Sequence, residues 1–288
     1  MAKIKIMVDT SAAMTREMLD EYGIERMNFI VSFGDESFVA NEELTNDEFY
    51  KRLAVCTEPP KTAMVPYQSI YDAFLRAASE CDTLIYYSIS SRGSGQNHSA
   101  HLVLDELSEE HPELDIRIVD TMSYAFFIAN AAMMAAKMAR EGASADEIIE
   151  KTTAEIGMWN AQFVVGNLDF LCKGGRITKL AATLGQIIDI KPVLTVRDGL
   201  IEPCGKLRGS KKLEKKLIDA MKADKNFDSE HPRFFVQHSS PEGGALLAQL
   251  LREEFGEDTV EIFGEFDPSV GAHVGPGVIA VYYRLRGK

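Results

Sequence analysis

The chain has 288 residues, is 45% hydrophobic and carries a formal net charge of -13. That length suits one large or two medium domains with a full apolar core, and the acidic balance excludes the basic face that nucleic-acid binding requires. It equally excludes a purely electrostatic hold on anionic membranes, and no run reaches the ~18 apolar residues of a membrane span, so no stable membrane insertion is expected.

In chain order, Lys5 to Val8 reads as a buried strand, followed by a helix from Thr15 to Tyr22 with Thr15 as N-cap. Met27 to Phe33 reads as a second strand and Thr45 to Leu53 as a helix, and Pro59-Pro60 interrupts the chain. Tyr67 to Ser79 is amphipathic, Leu84 to Tyr87 is strand-like, and Ser99 to Leu107 is helical. Ile116 to Val119 and then Ser123 to Arg140 repeat the alternation, with Ser144 opening one further helix to about Ile156. Strands alternating with helices of this length predict βαβ units and a parallel sheet.

Beyond residue 160 the pattern changes. Gln162 to Val165 is a short strand, and Asp198-Gly199 between two apolar runs predicts a hairpin, because both turn positions tolerate positive φ. Leu213 to Lys222 and Gly243 to Phe255 read as helices; Arg233 to His238, Thr259 to Phe263 and Val278 to Tyr283 read as strands. The expected architecture is therefore two α/β domains: residues 1–160 around a parallel sheet with flanking helices, and residues 161–288 around a mixed sheet.

Four short motifs carry the chemistry. Ile89-Ser90-Ser91-Arg92-Gly93-Ser94-Gly95-Gln96 follows an apolar strand and opens a helix, so hydroxyls and helix N–H groups can hold a carboxylate or a phosphate. Thr62 lies in Lys61-Thr62-Ala63-Met64-Val65, where its hydroxyl can meet a ligand or cap a turn. Lys173-Gly174-Gly175-Arg176 sets a guanidinium beside two glycines, for an anion or a structural ion pair. Gly271-Ala272-His273-Val274-Gly275-Pro276-Gly277 reads as a glycine-rich loop with one histidine before the last strand. Lys206 and Arg208 belong to a basic cluster on an otherwise acidic chain. His98, His101 and Asp105 share a helix face, for which an exposed polar surface is the simpler account. Cys56, Cys81, Cys172 and Cys204 show no zinc or redox spacing, and the first residues lack the apolar core and cleavage site of a signal peptide, so a reduced, cytoplasmic protein is expected.

Taken in order, these motifs resemble the DegV family. Val8-Asp9-Thr10-Ser11, Val119-Asp120-Thr121, Ile190-Lys191-Pro192-Val193-Leu194 and Lys206-Leu207-Arg208-Gly209 extend the resemblance over essentially the whole chain. The resemblance implies one long-chain fatty acid between two α/β domains, with its chain in an apolar tunnel. Thr62, Ser94 and His273 would bond its carboxylate, with the backbone N–H groups of Gly95 and Gln96 adding to them. It implies a carrier, not an enzyme, without a cofactor. A fatty acid kinase catalytic subunit would phosphorylate the bound carboxylate, docking near Arg176, Lys206 and Arg208. Three positions depart from the family pattern. Gln96 replaces a threonine and Gly93 an apolar residue. Phe127 and Ile128 lie where glycines usually make room for the acyl chain, which implies a shortened or redirected tunnel. A transferase or hydrolase using Ser94 and His273, and a lipid-sensing regulatory module, are the alternative functions.

Overall fold

The structure, a computed structural model, describes residues 3–177 and 190–287. Its strands are β1 (Ile4–Asp9), β2 (Ile24–Met27), β3 (Ile30–Phe33), β4 (Glu36–Val39), β5 (Lys61–Ala63), β6 (Thr83–Ser88) and β7 (Ile116–Asp120). They continue with β8 (Trp159–Val164), β9 (Ile190–Arg197), β10 (Leu200–Arg208), β11 (Phe234–His238), β12 (Val260–Glu265) and β13 (Ile279–Arg284). The chain groups into two compact units, residues 1–45 with 62–157, and residues 46–61 with 158–288.

The first unit is built on a parallel sheet in the order β2-β1-β6-β7. Every residue of β6 is buried, as expected of a central parallel strand covered on both faces. Helices Tyr67–Ser79 and Gln96–Glu110 pack on one another, and helix Phe126–Arg140 packs on β1 and on helix Ala145–Ile156. Ala129, Ala131, Ala132, Ala135 and Ala136 are all buried, and their small side chains let helix Phe126–Arg140 lie close to its neighbours. The chain leaves β1 toward β2 on one side and β6 toward β7 on the other. The C-terminal ends of β1 and β6 thus form a topological switch point, where open α/β sheets bind ligands.

The strand expected over Met27 to Phe33 is divided. Ile24–Met27 joins the parallel sheet, whereas Ile30–Phe33 joins a small sheet in the order β4-β3-β5. The break falls where the Phe29 N–H turns to the Thr10 hydroxyl, 3.2 Å away, instead of continuing a ladder.

The second unit holds a six-stranded mixed sheet in the order β10-β9-β8-β13-β11-β12. The β9–β10 hairpin turns at Asp198 and Gly199, with φ of 47° and 75°. Helices Leu213–Lys222 and Pro241–Phe255 bury Leu217, Ile218, Leu247 and Leu251 with Phe234, Val236, Val281 and Tyr283 in one core. Helix Asn46–Val55 belongs to this unit too: the Tyr50 hydroxyl donates to Phe266 O at 2.9 Å, and Phe49 fills the space a side chain on Gly271 would need. A single boundary near residue 160 does not show that excursion.

Candidate functional site

At the end of β1 the Asp9 carboxylate is fully buried. Its Oδ1 accepts from the Ser11 N–H at 2.9 Å and from the Ser11 hydroxyl. Its Oδ2 accepts from the Tyr86 hydroxyl at 2.7 Å and the Ile89 N–H at 3.1 Å. Burial pushes the Asp9 carboxyl above its usual range, and the donors from Ser11, Tyr86 and Ile89 oppose that shift. One side chain thus ties the loop after β1 to the loop after β6. Around it Thr10, Ser88, Ser90, Asn97, Ser99, Thr121 and Ser123 are buried as well.

The Ser94 loop rises from this base. Ser94 N–H donates to Ser90 O at 3.1 Å, and Ser94 Oγ accepts from the Gln96 N–H at 3.2 Å. A hydroxyl that accepts there keeps its own proton to donate elsewhere. Gly95 takes the N-cap position of helix Gln96–Glu110 and supplies no side-chain cap, so the first-turn N–H groups and the positive end of the helix dipole lie beside Ser94. The Gln96 side chain is fully buried, and its Oε1 accepts from the Val65 N–H at 3.0 Å. Met64 Sδ lies 3.5 Å from where a Cβ on Gly95 would stand. The segment carrying Thr62 therefore packs on the Ser94-Gly95-Gln96 turn.

Gly93 has a local reason as well. A Cβ built on it would meet the Tyr124 hydroxyl at 2.0 Å and two ring carbons at 2.8 Å. Tyr124 occupies the space that a larger residue at position 93 would take. Just beyond it, Ala125 adopts φ 53°, and its N–H is held by Ser11 O at 2.9 Å, which fixes the start of helix Phe126–Arg140 three residues later than the sequence suggests. Phe127 and Ile128 are buried in its first turn, with the Phe126 and Phe127 rings 6.4 Å apart.

In the second unit, the segment expected as a glycine-rich loop begins as helix Pro268–Val274. Asp267 caps it by accepting from the Val270 N–H at 3.1 Å, Pro268 follows at the first helical position, and Gly275 ends it at φ 72°. His273 therefore sits in a last helical turn. Glycines make its seat: a Cβ on Gly174 would fall 2.4 Å from His273 Nδ1, one on Gly275 2.6 Å from the Phe170 ring, and one on Gly166 2.4 Å from Pro276 O. The two glycine motifs are thus the mutual packing surface of two segments. Burial, and then the Arg176 guanidinium, lower the His273 pKa from 6.5 to about 4. Arg176 also bonds Gly174 O. Lys206 and Arg208 are exposed on β10, an edge strand, where cations also discourage unwanted strand pairing. The bridge between Ile177 and Ile201 sets the Arg176 segment against the same strand.

The first unit thus brings together Thr62's segment with Ser94, Gly95 and Gln96, and the second brings together Arg176 and His273. Sequence reasoning singled out Asp9 only within a motif and gave it no role, and it missed Tyr86 and Tyr124. An aspartate ending a buried strand was a readable signal for the first, whereas the other two are visible only through non-local packing. His98 and His101 are exposed.

Two outcomes follow from this geometry. Gly93→Ala should lower the denaturant midpoint through the clash with Tyr124, by about 1–3 kcal/mol of overpacking, and adding Tyr124→Ala should recover part of that loss. Purely additive losses in the double variant would contradict the interlock. His273 is held neutral in the folded chain, so the stability it contributes is complete above pH 6.5 and is lost as pH falls toward about 4. The difference between wild type and His273→Gln should shrink over that window by about 3 kcal/mol, measured by urea unfolding at stepped pH. A pH-independent difference would contradict the assignment.

Comparison with known proteins gives a consistent family. Residues 3–286 match the family model described as "Uncharacterised protein, DegV family". A fatty acid-binding protein of Thermotoga maritima is 28% identical, with 96% of each chain covered. A DegV-domain protein of Clostridium perfringens is 28% identical over 97% of this chain and 98% of its own. Among solved structures, a fatty acid-binding DegV family protein of Streptococcus agalactiae superposes with a TM-score of 0.84 at 26% identity, covering 100% of both chains. A DegV lipid-binding protein of Thermotoga maritima gives a TM-score of 0.81 at 26% identity, covering 99% of both. The chain belongs to the DegV family.

Proposed function

We propose that this protein binds a long-chain fatty acid and presents its carboxylate to a fatty acid kinase catalytic subunit, which forms the acyl phosphate. The observation that carries the reading is the Ser94 turn. A hydroxyl that accepts from the Gln96 N–H and keeps a proton to give stands at the N-terminus of a 15-residue helix, at a sheet switch point, with the Thr62 segment packed against it. Neutral donors of this kind suit one carboxylate, and each bond to a charged group contributes about 1.5–3 kcal/mol. Relatives of the same family that are named for fatty-acid or lipid binding support the choice of carboxylate over phosphate.

Thr62, Ser94 and His273 hold the carboxylate in this proposal, with the N–H groups of Gly95 and Gln96 adding to the field. Most of the affinity comes from the chain. Each buried methylene contributes ~0.8 kcal/mol, so ten contribute roughly 8 kcal/mol, more than the head group supplies. Phe127 and Ile128 line the tunnel and shorten or redirect it. Arg176, Lys206 and Arg208 receive the kinase. The protein itself performs no chemistry, works in the cytoplasm and requires no cofactor. Among the described residues, no helix is long and apolar enough to cross a membrane.

Three measurements test this. Ser94→Ala should weaken palmitate binding by about 10- to 100-fold in calorimetric titration, the loss of one charge-assisted bond; unchanged affinity would remove Ser94 from the site. Phe127→Gly should move the preferred acyl length upward in a competition series, and an unchanged preference would contradict a tunnel bounded by that ring. Lys206→Glu with Arg208→Glu should reduce acyl-phosphate formation by a fatty acid kinase catalytic subunit while palmitate affinity stays constant. Equal loss of both would contradict a docking role.

A further inference from the structure

The Gln96 side chain is closed off from solvent. It is fully buried, although ordering a rotamer-rich side chain costs about 1.5–2 kcal/mol and a buried amide needs partners. What it gains is a bond across 31 residues of sequence. Its Oε1 accepts from the Val65 N–H at 3.0 Å. Strand β5 ends at Ala63, so Val65, itself buried, has no ladder to satisfy that N–H, and a buried amide without an acceptor is strongly disfavoured. Its Nε2 makes no hydrogen bond among the described residues, so the Val65 bond is what the side chain contributes. The backbone of the same residue donates to Ser94 Oγ at 3.2 Å and thereby orients that hydroxyl's proton away from the helix. The next residue repeats the pattern: Asn97 Nδ2 donates to Ser88 Oγ at 2.7 Å, pinning the first helical turn to the end of β6.

We propose that Gln96 is a positioning residue for the ligand carboxylate. It clamps the Thr62 segment to the Ser94 turn through its side chain, and sets the Ser94 hydroxyl through its backbone. This rests on the fatty-acid reading given above, but assigns the side chain a role beneath the ligand and not on it. The clamp fixes the spacing of the two hydroxyls, so its removal weakens recognition of the head group and leaves recognition of the acyl chain unaltered.

The test is Gln96→Met, which keeps length and apolar volume and removes the acceptor. Palmitate and methyl palmitate serve as probes, since the ester shares the chain and lacks the charge. Palmitate affinity should fall by about tenfold or more, the equivalent of about 1.4 kcal/mol, with methyl palmitate changed less than about twofold. Hydrogen exchange at the Val65 amide should accelerate by a comparable factor. Equal weakening of both probes would overturn the proposal in favour of a purely structural glutamine, and so would an unchanged palmitate affinity. Wild-type protein that binds neither probe would overturn the fatty-acid reading and with it this role, whereas intact wild-type binding confines any failure to the Gln96 role. If Gln96→Met does not fold, the wild type carries the test. Val65 must then be protected like the amides of β1 and β6, and exchange at the rate of an exposed amide would overturn the clamp.

Discussion

The first unit depends on one buried carboxylate. Asp9 ends β1 and accepts from Ser11, Tyr86 and Ile89, so that the loops leaving the two central parallel strands are tied to the same two oxygens. An unpaired carboxylate at that depth would be prohibitively costly, and each donor that satisfies it also fixes a loop. Ser11 O then holds the Ala125 N–H and starts helix Phe126–Arg140, while Ile89 leads into the Ser90 to Gln96 turn. The carboxylate-binding geometry proposed for Ser94 and Thr62 is therefore built outward from an interior carboxyl group that the ligand need not touch.

The second unit solves a different problem with glycine. His273 and the Arg176 segment approach so closely that side chains at Gly166, Gly174 and Gly275 would overlap backbone or rings. Close approach removes solvent from the imidazole and sets the guanidinium beside it, and both effects keep His273 neutral near pH 7. A neutral imidazole has one donor and one acceptor, so it can bond a carboxylate without pairing with it as an ion. In the proposed site, an incoming carboxylate would shift that balance toward the charged form.

Much of this was legible in the chain. Alternating apolar runs and capped helices marked the parallel sheet, and Asp198-Gly199 marked the hairpin of the mixed sheet, where both residues adopt positive φ. Thr15 and Ser144 cap their helices through Met18 N–H and Glu147 N–H as their spacing implied. The misreadings share a cause. Asp267-Pro268 is a sound helix start, but the three glycines that follow within ten residues obscured it. The division of Met27 to Phe33 into two sheets came from a hydroxyl on Thr10, 19 residues away. Gly93 looked like a lost apolar contact until Tyr124 was seen to fill its place. The inward-facing side chain of Gln96 gave no local signal, since it is a polar residue in a polar loop. Periodicity and caps are local signals, whereas these features are set by residues distant in sequence.

The central claim is the proposal that this chain binds a long-chain fatty acid. Mass spectrometry of an organic extract from the purified, denatured protein tests it most directly. The account predicts one long-chain fatty acid in near-stoichiometric amount, with a chain length that responds to the bulk at Phe127. A different molecule in stoichiometric amount would contradict it, and would mean that this switch point serves another anion.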